Sequence, residues 1–210
     1  MATLSVVQRK LLARAQETYS EHLSEAADYL AGRGIDLAAA HSAGLGVVRN
    51  PLPGQEHLVG RLAIPYMTGA GCVNMNFRCM KPHSCKDEKH GKYQHWQGLS
   101  SNLYNVQALD SAGTAIAIAE GEIDAISSTL AGIPCVGIPG ATKWEDHWNL
   151  VFEDFTRVYV WQEGDEAGKK FADRVVMETN AIRVALPDGQ DVNSIWTASG
   201  ADALRQRIRR

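Results

Sequence analysis

The chain is short of cysteine and has none of it paired: its four cysteines stand at 72, 79, 85 and 135, with no CxxC spacing between any two. That excludes a zinc ribbon and a secreted disulfide framework. No apolar run approaches the length of a membrane span, and the polar N-terminus lacks the apolar core of a signal peptide. A cytoplasmic protein with no membrane contact is the expectation. Charge is balanced, with 21 Lys and Arg against 24 Asp and Glu, so nothing draws the whole molecule to a polyanion. Phosphate contacts would have to come from a local basic patch beside a site dominated by carboxylates. No internal repeat or low-complexity linker interrupts the chain. What is present is an ordinary globular composition, 45% hydrophobic and 21% charged, in 210 residues that can hold one large domain or two small ones.

The most informative stretch runs from Ala115 to Lys170. A short apolar run, Ala115 to Ala119, reads as a buried strand that breaks off at Glu120-Gly121 and gives way to helical spacing. Val158 to Trp161 repeats the design, followed by Glu163-Gly164-Asp165 and a helix opened by Glu166-Ala167-Gly168. In an open parallel sheet ligands bind outside the carboxyl ends of the strands, so Glu120, Glu163 and Asp165 should converge on one spot. Asp124 lies one helical turn beyond Glu120, close enough to share it. Carboxylates crowded in this way raise one another's pKa unless a cation sits among them. An all-oxygen donor set favours magnesium or manganese over zinc.

The remaining elements are weaker. Leu4 to Tyr19 reads as an amphipathic helix with Val7, Leu11, Leu12 and Ala15 on one face, and a second helix should begin near Ser24 and end at Gly32 or Gly34. Gly60 to Tyr66 and Cys72 to Arg78, joined by Gly69-Ala70-Gly71, form a hairpin. Cys135 to Ile138 is a strand leading into Pro139-Gly140-Ala141-Thr142-Lys143. That turn either receives a triphosphate on its amides and Lys143 or is merely a tight strand-to-helix connection. Trp144 and Trp148, four apart, are core anchors rather than base stackers. Ala181 to Leu186 is a further strand. Cys79 and Cys85 lie among His83, His90 and His95, and reduced thiols with solvated histidines on a hairpin are favoured there over an irregular zinc site.

Glu120-Gly-Glu-Ile-Asp124 followed by Glu163-Gly-Asp165-x-Ala-Gly resembles the Toprim domain of bacterial-type primases, topoisomerases and some nucleases, whose signature is E-G-x-x-D and then D-x-D. Glu163 departs from the usual first Asp by one methylene. Pro187-Asp188-Gly189-Gln190-Asp191-Val192-Asn193 resembles the family's third acidic motif, PDGxDxxD, with Asn193 in place of the last acid. Upstream, Tyr29-Leu30-x-x-Arg33-Gly34-Ile35, the glycine-flanked Gly44 to Val47, and Lys92-Tyr93 through Leu103-Tyr104-Asn105 resemble the polymerase core of DnaG-type primases.

That resemblance implies a mixed α/β N-terminal subdomain over residues 1–110 and a Toprim domain over 111–210, with a small parallel sheet flanked by helices. It implies a primase core making short RNA primers on a single-stranded DNA template from nucleoside triphosphates. Two magnesium or manganese ions would be held by Glu120, Glu163, Asp165, Asp188 and Asp191, with Asp124 in support. Zinc is not expected. Arg61, Arg78 and Lys92 correspond to basic positions that hold template or nucleotide phosphates. The basic stretch from Arg78 to Lys92 with Tyr93 and Trp96, alone a solvated loop, then reads as a single-strand contact. The basic tail, Arg205 to Arg210, is expected to be frayed. The chain reads as a bare catalytic core of compact phage type, with a replicative helicase or a separate zinc-ribbon protein as further partners. A Toprim nuclease and a non-catalytic single-strand-binding replication module are the alternatives.

Overall fold

The computed structural model describes residues 3–140 and 143–209. Ala141 and Thr142 of the expected triphosphate turn, and Arg210 of the tail, lie outside the described residues. The chain divides into two compact units, 1–100 and 101–210. The division falls before the expected 110/111 boundary because Leu103 and Ala108 are buried in the second unit's core, and Tyr104 exchanges backbone hydrogen bonds with Gly137 at 2.8 and 3.1 Å.

The first unit opens with helix α1, Val6–Ser20, started by a Ser5/Gln8 capping box. Its buried face carries Leu12, Ala15 and Tyr19, whereas Val7 and Leu11 are exposed. The expected face was rotated because Tyr19 sets the stripe: its ring meets Phe77 edge-on and its hydroxyl accepts from the amide of Leu52 at 3.1 Å. The single helix expected from Ser24 is instead a 3-10 turn, Leu23–Ala26, running into a short α2, Ala27–Ala31. Helix α3, Leu37–Ser42, follows, capped by Asp36.

Four antiparallel strands complete the unit in the order β1 (Gly46–Val47), β2 (Leu62–Thr68), β3 (Gly71–Arg78) and β4 (Tyr93–His95). The β2–β3 hairpin is the one the glycine turn predicts, with a bulge at Tyr66/Met67. Gly46 is required: a Cβ there would stand 2.4 Å from the Tyr19 carbonyl, so β1 can run under α1 only with no side chain.

In the second unit, α4 (Gln107–Ser111) precedes a wholly parallel sheet of β5 (Ala115–Ala119), β6 (Cys135–Gly137), β7 (Arg157–Gln162) and β8 (Ile182–Ala185). Helix α5 (Glu122–Leu130) links β5 to β6, and α6 (Asn149–Phe152) precedes β7. Helix α7 (Glu166–Thr179) links β7 to β8, and α8 (Val192–Ile208) closes the chain. The spatial order is β6-β5-β7-β8. β5 and β7 are central and covered on both faces, which is why they read as continuous apolar runs. Trp148 is buried in the core, with Trp144 packed edge-on against it. Helix α8 bends at Gly200, where φ is 72°. It is not frayed: the Nε of Arg205 donates to the Ala131 carbonyl at the end of α5, at 2.6 Å.

Candidate active site

From β5 the chain moves to β6 on one side, and β7 lies on the other, so the carboxyl ends of β5 and β7 flank the point where the strand order reverses. Crevices form at such a point. Glu120 follows the last residue of β5, and Glu163 follows the last residue of β7. Glu120 presents a buried Oε2. Burial pushes the Glu163 carboxyl up to about 8, reinforced by the charges of Asp124, Glu120, Asp191 and Asp165. The acidic residues of three separated segments thus act on one group. Asp188 is not among them: it is exposed on the turn after β8.

Backbone geometry fixes these groups. Gly164 lies so close to the loop after β8 that a Cβ would fall 1.9 Å from the Pro187 carbonyl. The Gly164 amide donates to Gln190 and its carbonyl accepts from Gly189, at 2.9 and 3.0 Å. Gly168 faces the Glu163 backbone, where a Cβ would lie 2.7 Å from its carbonyl. The glycines of this motif are therefore packing requirements, a role that residue type alone did not reveal.

Asp165 and Asp191 cap helices. Oδ1 of Asp165 accepts from the Gly168 amide at 2.7 Å at the start of α7, and Oδ1 of Asp191 accepts from the Ser194 amide at 2.7 Å at the start of α8. Each carboxylate so placed has a second oxygen to offer. Asp124 Oδ1 accepts from the Asn193 amide at 2.9 Å, which ties α5 to α8. Asn193 itself is buried and donates through Nδ2 to Ser127 Oγ at 2.9 Å. The residue standing where the motif has its last acid is a brace between two helices.

Of the basic residues expected to hold phosphates in the first unit, Arg61 and Arg78 are engaged in its interior, whereas Lys92 is exposed. Arg61 is buried and donates to the carbonyls of Gly91 and Lys92 at 3.1 and 3.4 Å. Arg78 is buried too, hydrogen-bonded to the Tyr93 hydroxyl, with its guanidinium against the rings of Tyr93 and Tyr29 at 4.9 and 6.0 Å. Both arginines hold the unit together, and Tyr93 is engaged as the other wall of the Arg78 box. Trp96 stacks on Phe77 against the core. The exposed cations of this stretch are Lys81, Lys86, Lys89 and Lys92. In the second unit Lys143 is exposed beside Gly140.

Residues 117–196 match the family model described as Toprim-like. Over 150 residues the chain is 41% identical to the Gene 57 protein of Mycobacterium phage D29, covering 71% of this chain and 98% of that one. The chain belongs to one family with this phage protein and carries a Toprim-like domain. The chain is also 31% identical over 102 residues to a DNA primase of Pseudomonas putida, although it spans only 16% of that primase's length. Among solved structures it resembles the RNA polymerase domain of Mycobacterium tuberculosis primase DnaG, with a TM-score of 0.79 at 20% identity, covering 98% of this chain and 84% of that one. A DnaG primase catalytic domain bound to ssDNA superposes with a TM-score of 0.76 at 19% identity, over 96% of this chain and 77% of that domain. The fold of this chain is that of the DnaG catalytic core.

The donor set fits a hard divalent cation. It consists of carboxylate oxygens alone, and their mutual repulsion, which adds to burial in raising Glu163, is what such an ion relieves.

Proposed function

We propose that this chain is a DNA primase catalytic core that makes short RNA primers on single-stranded DNA by metal-dependent nucleotidyl transfer. The observation that carries this reading is the convergence of Glu120, Asp124, Asp165 and Asp191 on Glu163 at the carboxyl edge of a Toprim sheet. Glu120 and Glu163, with the second oxygens of Asp165 and Asp191, would hold magnesium or manganese, and Asp124 braces them from α5. Bound there, a divalent cation supplies a Lewis acid for phosphate oxygens and lowers the pKa of an attacking hydroxyl.

The chain's own groups do the positioning. The shared backbone of the loops after β7 and β8 keeps Glu163, Asp165 and Asp191 in fixed register, so a triphosphate meets carboxylates already arranged. Template phosphates are drawn by the exposed lysines between β3 and β4, and Lys143 offers a cation to the triphosphate. The match to a DnaG domain bound to ssDNA supports a single-stranded template.

The test is incorporation of labelled ribonucleotides on single-stranded DNA with magnesium or manganese, comparing the wild type with Glu120→Gln. Short RNA ladders from the wild type alone are expected. Normal ladders from the variant would refute the site, template shortening without new RNA would make the protein a nuclease, and metal-indifferent binding without turnover would make it a binding module.

A further inference from the structure

The loop between β3 and β4 brings together four residues that its sequence spacing scatters. Ligand atoms of Cys79, His83, Cys85 and His90 all lie within 4.8 Å of one another. The His83 and His90 Nε2 atoms are 2.9 Å apart, and His83 Nε2 is 3.5 Å from Cys79 Sγ. His95 is elsewhere, against Asn76 on the sheet.

The loop has no apolar interior to explain this convergence. Between Arg78 and Tyr93 none of its side chains enters the buried core, while Cys79, Cys85 and His90 are half-buried amid exposed lysines and acids. The two thiols and the His90 imidazole thus sit half-buried in a hydrophilic loop, with His83 exposed beside them. Its mouth is closed by the Cys79 amide donating to the Lys92 carbonyl at 2.9 Å, and its far side by the His90 amide donating to Cys85 at 2.9 Å. His90 Nδ1 lies 3.1 Å from the Gly91 carbonyl, which Arg61 also binds at 3.1 Å. Arg61 Nη2 also lies 3.3 Å from Nδ1, and when Nδ1 instead keeps its proton and donates it to the nearer Gly91 carbonyl, the Nε2 lone pair faces the cluster, the arrangement that orients metal-bound histidines.

We infer that Cys79, His83, Cys85 and His90 form a tetrahedral zinc site that staples the β3–β4 loop. Metal–ligand lengths of about 2.3 Å to sulfur and about 2.0 Å to nitrogen put tetrahedral ligand atoms roughly 3.3 to 3.8 Å apart, so pairs now as far as 4.8 Å apart would close by about 1 to 1.5 Å, a shift within the reach of side-chain rotation in a loop. A two-sulfur, two-nitrogen set selects zinc over the hard cations of the acidic site. Two thiolates and two neutral imidazoles make the complex electrically neutral, and the lysines around it keep their charges for phosphate. The absence of CxxC spacing set zinc aside at the level of sequence, but loop closure supplies the proximity that spacing did not.

The experiment is elemental analysis of the full chain, without a histidine tag, purified under reducing conditions without chelator, followed by cobalt substitution. One equivalent of zinc per chain is expected, with intense tetrahedral ligand-field and thiolate charge-transfer bands in the cobalt form. Cys79→Ser and His90→Ala should each lose the zinc while His41→Asn, on α3, retains it. No metal and no cobalt–thiolate spectrum in the folded wild type, bound iron in place of zinc, or zinc unchanged in both variants would overturn the site. These readouts do not depend on primer synthesis.

Discussion

Gly164 and Gln190 share a backbone hydrogen bond, amide to carbonyl at 2.9 Å, and it joins the loop after β7 to the loop after β8. Acidic residues from two distant sequence motifs are thereby mounted on one piece of backbone. Gly164→Ala would drive a methyl group into the Pro187 carbonyl. We expect a loss of about 3 kcal/mol in urea unfolding and disproportionate loss of magnesium response, as the two loops separate.

Without metal, the protein should lose stability as pH rises. The Glu163 carboxyl titrates near 4.5 when unfolded and at about 8 when folded, so the folded state binds more protons between these values. Its contribution is fully present below about pH 4.5 and lost as pH climbs through about 8, a change of the order of a few kcal/mol. Glu163→Gln should flatten that part of the thermal-melting profile. Magnesium binding to the wild type at neutral pH should release protons, read by calorimetry in buffers of different ionisation enthalpy.

The proposed metal-binding role of Asp191 can be separated from its helix cap. Asp191→Ala removes both the α8 cap and the charge and should cost about 1 kcal/mol. Asp191→Asn keeps a capping oxygen and should melt close to wild type, yet both variants should lose ribonucleotide incorporation. Equal activity in Asp191→Asn and wild type would confine Asp191 to the cap.

Restoring the acid that the third motif has elsewhere should not improve the protein. Asn193→Asp would place a carboxylate in a buried position beside Ser127, with its amide already bound to Asp124. A loss of about 2 kcal/mol is expected, with no gain in activity at any magnesium concentration. Denaturant titration and the primer assay together check it.

The parallel sheet was legible because buried central strands are continuous apolar runs, and Ala115 to Ala119 could be little else. Glu120 and Glu163 were legible as the residues at which those runs stop. Other features depend on partners far away in sequence. The face of α1 is set by Tyr19 meeting Phe77 and Leu52, and Arg61 and Arg78 are buried because the chain returns at Gly91 to Tyr93. A motif letter shows that an aspartate is present, but not that one of its oxygens starts a helix.

Because Asp165 and Asp191 initiate α7 and α8, a protein of this fold with no chemistry at all would still need them. Glu163 is different, since its crowded, half-buried charge works against folding. In comparing relatives, persistence of the two aspartates therefore says little about the proposed chemistry, whereas a glutamate or aspartate at position 163, which the fold does not need, is what that chemistry predicts.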